Sequence, residues 1–470
     1  MIGVGLDFGT SNSVAALYDG QSVRLIPLEA GEAVMPTATH LDRELITTTG
    51  DAAIRQYIED NQDRVVELTP EVIAKTSMVV EDKNTSDPNS EAEVSSQSVY
   101  GQSHIDRGMP GRLFRGVKRL LGNSSIKRLM VFNQPFRVVA LITPVLVHIR
   151  KALQDQLNSK DALDVHFGHP VQFEGHDRFK NDLGKTRLKE ACDYAGFEKI
   201  AFYPEPVAAT LSYLQEENNI KEGTVLTLDF GGGTLDLSVV RFNEMKFEVL
   251  ATAGLPLGGD HIDQLIFREL IFPLLGKGEV WSRVKDGTLI TNEFPFDEFA
   301  DKLINWAVTY TLNQSQYRAK VNDCIQYFSN LKDPAAEKFR RLDDLITHNY
   351  SYLVFQAIKD AKVALSESST TQLEMPELDI EVEFSRVQFE SMMSEMLVSI
   401  QDIIRKVLVD ANIGVEEVDV VIRTGGSSQI SAVRELLEAQ FPGKVTEHDP
   451  FTSVAAGLAI ANYHGIQFQA

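Results

Sequence analysis

The segment VLTLDFGGGTLDLSVV, Val225 to Val240, decides the fold. Its first arm is apolar enough for a strand buried on both faces, and Leu235, Leu237 and Val239 alternate along a second arm. The glycines between the arms permit a turn whose backbone amides point inward, and Asp229 stands at its lip. Such amides suit phosphate oxygens, and a carboxylate beside them suits a hydrated divalent cation. The same design occurs near the start of the chain. In GVGLDFGTSNSVAALYD, Gly3 to Asp19, Asp7-Phe8-Gly9 answers Asp229-Phe230-Gly231, with Thr10 and Ser11 where Gly232 and Gly233 stand. Two unrelated hairpins with a shared turn are the plainer alternative. The pair predicts instead a duplicated α/β fold with a nucleotide clamped between its halves.

Composition narrows the field. A chain of 470 residues buries large cores and exceeds one ordinary domain. Its net charge of −22 argues against nucleic acid or an anionic membrane as partner, because both surfaces are themselves negative. Two cysteines, Cys192 and Cys324, imply no disulfide framework and fit a reducing cytoplasm. No basic segment precedes the first strand, so no signal peptide is expected. The apolar run Val138 to Ile149 is too short to span a bilayer and predicts a helix entry, with Thr143 as N-cap and Pro144 at the first helical position.

Between these landmarks the chain alternates order and interruption. The polar stretch from Glu81 to Ser98 reads as a mobile surface loop. Gly111 to Leu129 carries Arg112, Arg115, Lys118, Arg119, Lys127 and Arg128 with no acidic residue between them, which is either an anion site or a solvated helix face. Gly184-Lys185-Thr186 lacks the earlier glycine of a phosphate-binding P-loop, since Phe179 stands there. His166, His169 and His176 lack carboxylate or cysteine companions at ligand spacing. In YPEPVAATLSYL, Glu205 sits between two prolines at a helix mouth, where the dipole favours a carboxylate able to position water. Gly258-Gly259 opens another helix. Phe299, Leu303, Trp306, Ala307 and Tyr310 fall on one helical face, Lys332-Asp333-Pro334 breaks the pattern, and Leu342, Leu345, Ile346 and Leu353 mark a second helix. RTGGSS, Arg423 to Ser428, follows a buried strand and aims amides at an anion or a nucleoside edge.

Taken together, these motifs resemble the nucleotide-binding domain of the 70-kDa heat-shock (DnaK-like) chaperones, members of the actin-like ATPase superfamily. GLDFGTSNS is similar to the family's first phosphate loop, KRLLG to its catalytic-lysine segment and HPVQF to the segment with its switch proline. YPEPVAA is similar to the connecting motif, LDFGGGTLD to the second phosphate loop and RTGGSS to the adenosine loop. The resemblance implies an actin-like, ribonuclease H-like duplicated fold: two lobes, each with a mixed five-stranded sheet flanked by helices. It implies lobe I over 1–218, with a peripheral subdomain at about 37–130 holding the mobile loop at 81–103. Lobe II spans 219–449, with an enlarged, mostly helical subdomain at about 259–397, and 450–470 returns to lobe I as a helix.

The resemblance also assigns roles. Asp7 and Asp229 hold magnesium through water, and amides of Gly9, Thr10, Ser11 and Asn12 and of Gly231, Gly232, Gly233 and Thr234 grip the phosphates of ATP or ADP. Lys118, Glu205 and Thr234 join the two aspartates in catalysis, and Pro170 relays the nucleotide state. Gly258, Gly259, Lys362, Ser366, Gly425, Gly426 and Ser427 complete the nucleotide site. Val363 and Gln429 stand where the family's adenine-sandwiching arginines belong, removing two cation–π contacts. The chain stops at Ala470 without the family's peptide-binding sandwich, which resembles the short YegD-type chaperone-like proteins. The expected function is a slow, magnesium-dependent ATPase of chaperone type. Its alternatives are a non-hydrolysing nucleotide-gated module and, more remotely, a sugar-kinase-like or filament-forming relative. The long lobe-II segment is the expected docking surface for a protein partner.

Overall fold

Both glycine turns close antiparallel hairpins, each at the centre of its own sheet. This is seen in a computed structural model that describes residues 2–466 except 62–63, 65, 67, 81–92, 107, 133, 159–162, 175–177, 218–220, 244–245, 286–287 and 307. The first hairpin pairs Gly3–Phe8 with Asn12–Tyr18, Asp7 lying opposite Val14. The second pairs Glu222–Phe230 with Leu235–Asn243, Asp229 lying opposite Asp236.

The sheets around them follow one path. The first runs Lys199–Pro204, Asp164–His169, Gly3–Phe8, Asn12–Tyr18, Val23–Leu25, and the two-residue strand Met35–Pro36 also pairs with Asn12–Tyr18. The second runs Val445–Glu447, Val420–Thr424, Glu222–Phe230, Leu235–Asn243, Lys246–Leu255. In each, two parallel neighbours lead into the first hairpin strand and antiparallel ones lead out of it. A shared path in two sheets is the mark of a duplicated unit, and the fold is that of the actin-like ATPases.

The helix Ser453–His464 ties the end of the chain to its beginning. Gly3 and Gly5 let it lie on the first strand, because a Cβ on either would overlap backbone atoms of Ala455 or Ala459. Gly457 does the same toward the helix Glu205–Glu216, where a Cβ would run into the Ala208 carbonyl. The helix is buried from Ser453 to Ala461, which accounts for its alanines and for the lack of a polar stripe.

Several expectations give way. Thr143 and Pro144 do not begin a helix: the helix runs Val138–Leu157 with Pro144 inside it. Burial of Val138, Val139, Leu141 and Ile142 carries the helix past the proline, and the Thr143 hydroxyl donates to the Val139 carbonyl instead of capping. Of the expected mobile loop at 81–103, residues 93–103 belong instead to the strand Glu93–Asp106, which pairs with Leu68–Val80. Residues 81–92 lie outside the described residues. Pairing across strands supplies order that a polar composition does not reveal.

The apolar face from Phe299 to Tyr310 is not one helix: Asp297–Leu303 ends, and a 3-10 turn at Thr309–Asn313 follows. Leu342 and Leu353 also belong to separate helices, Ala335–Thr347 and Ser351–Glu367, with Asn349 between them at φ 55°. Two hairpins, Val280–Lys285 with Thr288–Glu293 and Thr370–Met375 with Ile380–Ser385, interrupt the mostly helical segment. The basic island is neither a helix face nor one patch. It is a strand, Gly111–Arg115, followed by a 3-10 turn at Val117–Leu120, and its cations part company. Among the described residues no helix is long and apolar enough to cross a membrane.

Candidate functional site

The two glycine turns meet. A Cβ on Gly233 would lie 2.8 Å from Thr10 Oγ1, and one on Gly232 would overlap Ser11 Oγ, so the glycines of the second turn lie directly against the side chains of the first. Each turn is braced from behind. The Gly231 amide donates to the Thr234 carbonyl at 3.0 Å, and the Thr37 amide donates to the Ser11 carbonyl at 2.9 Å. Asn12 sits in the ladder opposite Pro36, with its carbonyl against Gly9.

Behind the turns the hairpins and the Glu205 helix bring five charged side chains together. Lys118 Nζ donates to Glu205 Oε1 at 2.6 Å, and both residues are buried. Asp7 and Asp229 flank this pair, one from each sheet. Burial, Glu205 and Asp229 push the Asp7 carboxyl well above its ordinary range against the pull of Lys118. Burial, Glu205 and Asp236 do the same for Asp229. Burial opposes the Lys118 ammonium, yet Glu205, Asp7 and Asp236 outweigh it and raise its pKa.

Asp236 is the residue that the sequence reading missed. It is 1% exposed, and burial and Glu205 raise its pKa to about 7. One of its oxygens accepts the Thr234 hydroxyl at 2.7 Å and the other the Val171 amide at 2.9 Å. The signal was present: folding LDFGGGTLD about its glycines puts Asp236 opposite Asp229, and like charges so placed destabilise a ladder unless something binds them. The same bond joins Asp236 to the segment after Pro170, which is buried at the end of Asp164–His169. His166 and His169 are also buried, with pKa values lowered by burial to about 4, and His176 lies outside the described residues.

Other expected residues surround this centre. The Gly259 and Asp260 amides donate to the Gly231 and Gly232 carbonyls at 3.0 and 2.8 Å, so the helix Gly259–Ile266 spends those donors on bracing the turn. Lys362 Nζ donates to Asp263 Oδ1 at 2.5 Å and to the Gly259 carbonyl at 3.2 Å. Ser427 Oγ donates to the Gly231 carbonyl at 3.0 Å, and Gly425, at φ 81°, lies against the Phe230 carbonyl where a side chain would not fit. Gly426 faces the Phe451 ring. Ser366 lies one turn beyond Lys362 on the same helix. Val363 is 61% exposed and Gln429 half-buried. Of the basic island, Lys118 pairs with Glu205 at the centre of the site. Arg119 pairs with Glu174 and reaches across to Asp260, while Arg112 and Arg115 turn to tyrosines.

The donor set suits a hard divalent cation. Four carboxylates, Asp7, Glu205, Asp229 and Asp236, surround one ammonium, and burial and neighbouring carboxylates raise the pKa of the three aspartates above the ordinary range. Oxygen donors with excess negative charge fit magnesium. Among the described residues no group of three or more acidic, histidine or cysteine side chains is placed to ligate one ion directly.

Fold and site together define a protein of the actin-like ATPase class. The family model described as Hsp70 protein matches residues 177–277 and 336–466. The chaperone protein DnaK of Mycoplasmopsis agalactiae is 24% identical over 468 residues, covering 97% of this chain and 58% of that protein. The stromal 70 kDa heat shock-related protein of Pisum sativum chloroplasts is 26% identical over 464 residues, covering 97% and 51%. The chaperone protein dnaK of Emiliania huxleyi is 26% identical over 481 residues, covering 97% and 59%. The chain belongs to the Hsp70 family, and it spans between half and three-fifths of the length of these relatives.

Proposed function

We propose that this chain binds ATP or ADP with magnesium between its two glycine turns and slowly hydrolyses ATP, as a chaperone-type switch. The observation that carries this reading is the meeting of Thr10-Ser11 with Gly232-Gly233 in front of Lys118, Glu205 and the three aspartates. The amides of Gly9 to Asn12 and Gly231 to Thr234 would grip the phosphates. Asp7 and Asp229 would hold the metal's waters, and the metal, when bound, neutralises charge on the transferred phosphoryl group. Lys118 Nζ presents a cation to the γ-phosphate and the attacking water. Glu205, anchored by Lys118 and the helix mouth, accepts from that water and aligns it. Catalysis is then positioning and charge neutralisation without a covalent nucleophile. Asp236 holds the Thr234 hydroxyl and the Val171 amide, so a change at the second turn passes directly to the segment after Pro170.

In this reading lobe I is 1–218, lobe II is 219–449, and 450–470 returns to lobe I. Two free, buried cysteines support a reducing compartment such as the cytoplasm. Phosphate release from magnesium ATP tests the proposal: it should fall sharply for Lys118→Ala and Asp229→Asn, and equal rates in all three proteins reject hydrolysis. Val363, exposed where an adenine-stacking cation is expected, favours the second reading, a nucleotide-gated module without turnover. Calorimetry separates the two, because binding without turnover supports the module and no binding of any nucleotide rejects both.

A further inference from the structure

We infer that Phe451 is the platform on which the base of the nucleotide stacks, and that the site accepts purine nucleotides without strict choice between adenine and guanine. This rests on the nucleotide reading above and adds the base to it. The ring stands beside the turn that follows the strand Val420–Thr424. A Cβ on Gly426 would lie 3.0 and 3.3 Å from its Cε1 and Cζ atoms, so the glycine lets the ring border bare backbone. Phe451 is 45% exposed. The other strongly exposed phenylalanine among the described residues, Phe179, has the Arg178 guanidinium 4.5 Å from its ring centroid, and Phe451 has no such cover. A single exposed phenylalanine is ordinary in itself. What sets this one apart is its place on the turn whose sequence points to a nucleoside edge.

The backbone on both sides of the ring is pinned. The Gly425 amide donates to the Pro450 carbonyl at 2.9 Å, and the Ser453 amide donates to the Asp449 carbonyl at 3.2 Å. Thr424 Oγ1 and Ser453 Oγ share a hydrogen bond at 2.8 Å, and both residues are buried. Phe451 is therefore carried by a segment already fixed to the strand and its turn. A ring held in this way loses little freedom when a flat group stacks on it.

The same turn reaches the residues proposed to grip the phosphates. Ser427 Oγ donates to the Gly231 carbonyl at 3.0 Å. Ser427 Oγ and Lys362 Nζ stand 2.7 and 3.3 Å from where a Cβ on Gly259 would be, so the helix that carries Lys362 and Val363 adjoins the turn as well. Val363 is an exposed aliphatic side chain and Gln429 a half-buried amide, and neither brings an aromatic or cationic plane. Phe451 does. Stacking on a neutral ring reads the area of the base rather than its pattern of donors and acceptors, because every base has a π-face. Purines then bind ahead of pyrimidines, and one purine is not set far above the other.

Calorimetric titration of the full chain in magnesium, with ADP, GDP, UDP and inorganic pyrophosphate, tests the platform. ADP and GDP should bind the parent within about threefold of each other, and UDP about tenfold more weakly, as expected where stacking area decides. Phe451→Leu keeps apolar bulk at this part-exposed position but removes the aromatic plane. It should weaken ADP and GDP by about tenfold, and Phe451→Tyr should restore both. ADP affinity unchanged in Phe451→Leu, or a loss shared equally by pyrophosphate, overturns the platform. A parent that prefers ADP to GDP by about a hundredfold or more reads the base by its edge, which overturns the open choice of purine. Pyrophosphate bound as tightly as every nucleotide also overturns the platform and leaves the phosphate site standing. A parent that binds neither nucleotide nor pyrophosphate overturns the nucleotide reading itself.

Discussion

Lys118 Nζ lies 2.6 Å from Glu205 Oε1, a buried ion pair in which the lysine belongs to a basic island and the glutamate to a helix mouth 87 residues later. Removing one member strands the other. Breaking such a pair costs about 3–5 kcal/mol, and here the stranded charge would be one of several carboxylates. Lys118→Ala is therefore expected to lower the melting temperature clearly. The double variant Lys118→Met with Glu205→Gln, which removes both members of the pair and leaves only the aspartates of the cluster, should regain part of that loss without regaining phosphate release. A double variant no more stable than Lys118→Ala would show that the pair contributes little to the fold.

The carboxylates make stability depend on pH in an unusual sense. The folded pKa of Asp236 is raised from 3.8 to about 7, by burial first and by Glu205 next, so the folded protein holds a proton that the unfolded chain releases. Stability falls as pH rises through that window and flattens above it. The shift corresponds to something on the order of 4 kcal/mol at most. Asp7 and Asp229 are raised too and act in the same direction. Melting temperature without added metal should drop between pH 5 and pH 7.5, and Asp236→Asn should make that slope shallower. Magnesium, whose charge replaces those protons, should stabilise the protein more at pH 7.5 than at pH 5, and chelation should reverse this.

The parts of the fold legible in the sequence were those decided by near neighbours. Alternation and glycines located both hairpins, and prolines beside Glu205 located a helix mouth that the structure begins at Glu205. What escaped depended on residues distant in the chain. Pro144 sits inside its helix because buried side chains on both sides of it hold the helix together. Trp306 followed a helical spacing yet lies in a break between Asp297–Leu303 and Thr309–Asn313, where Tyr57 and Tyr352 receive it. The site itself was partly legible: Asp7, Asp229, Lys118 and Glu205 came from motifs, whereas Asp236 required reading the hairpin's register.

Close approach of the terminal helix makes a sharp expectation. A Cβ on Gly457 would occupy the position of the Ala208 carbonyl, and one on Gly5 that of the Ala455 carbonyl. Backbone atoms cannot yield as a side chain can, so overpacking costs of about 1–3 kcal/mol or more apply. Gly457→Ala should lower the melting temperature by several degrees and loosen the contact with the Glu205 helix. Gly443→Ala, at φ 70° but with open space around it, should show only the smaller backbone penalty. Equal melting temperatures for the two variants would remove the packing argument.

The base end of the site offers a gain rather than a loss. Val363 is 61% exposed and lies on the helix that presents Lys362 and Ser366. An exposed valine there gives no stacking plane and wets apolar surface, so replacing it should cost the fold almost nothing. Val363→Arg would supply a planar cation beside the place where the proposed site would receive its base. A stacked guanidinium contributes about 0.5–1 kcal/mol at an exposed position, or a two- to fivefold gain in affinity. Calorimetric titration with ADP should register that gain while the melting temperature of the free protein stays unchanged. A bare polyphosphate, which has no ring to stack, should bind the variant and the parent alike. A gain shared equally by polyphosphate would reveal simple charge attraction and place the base elsewhere.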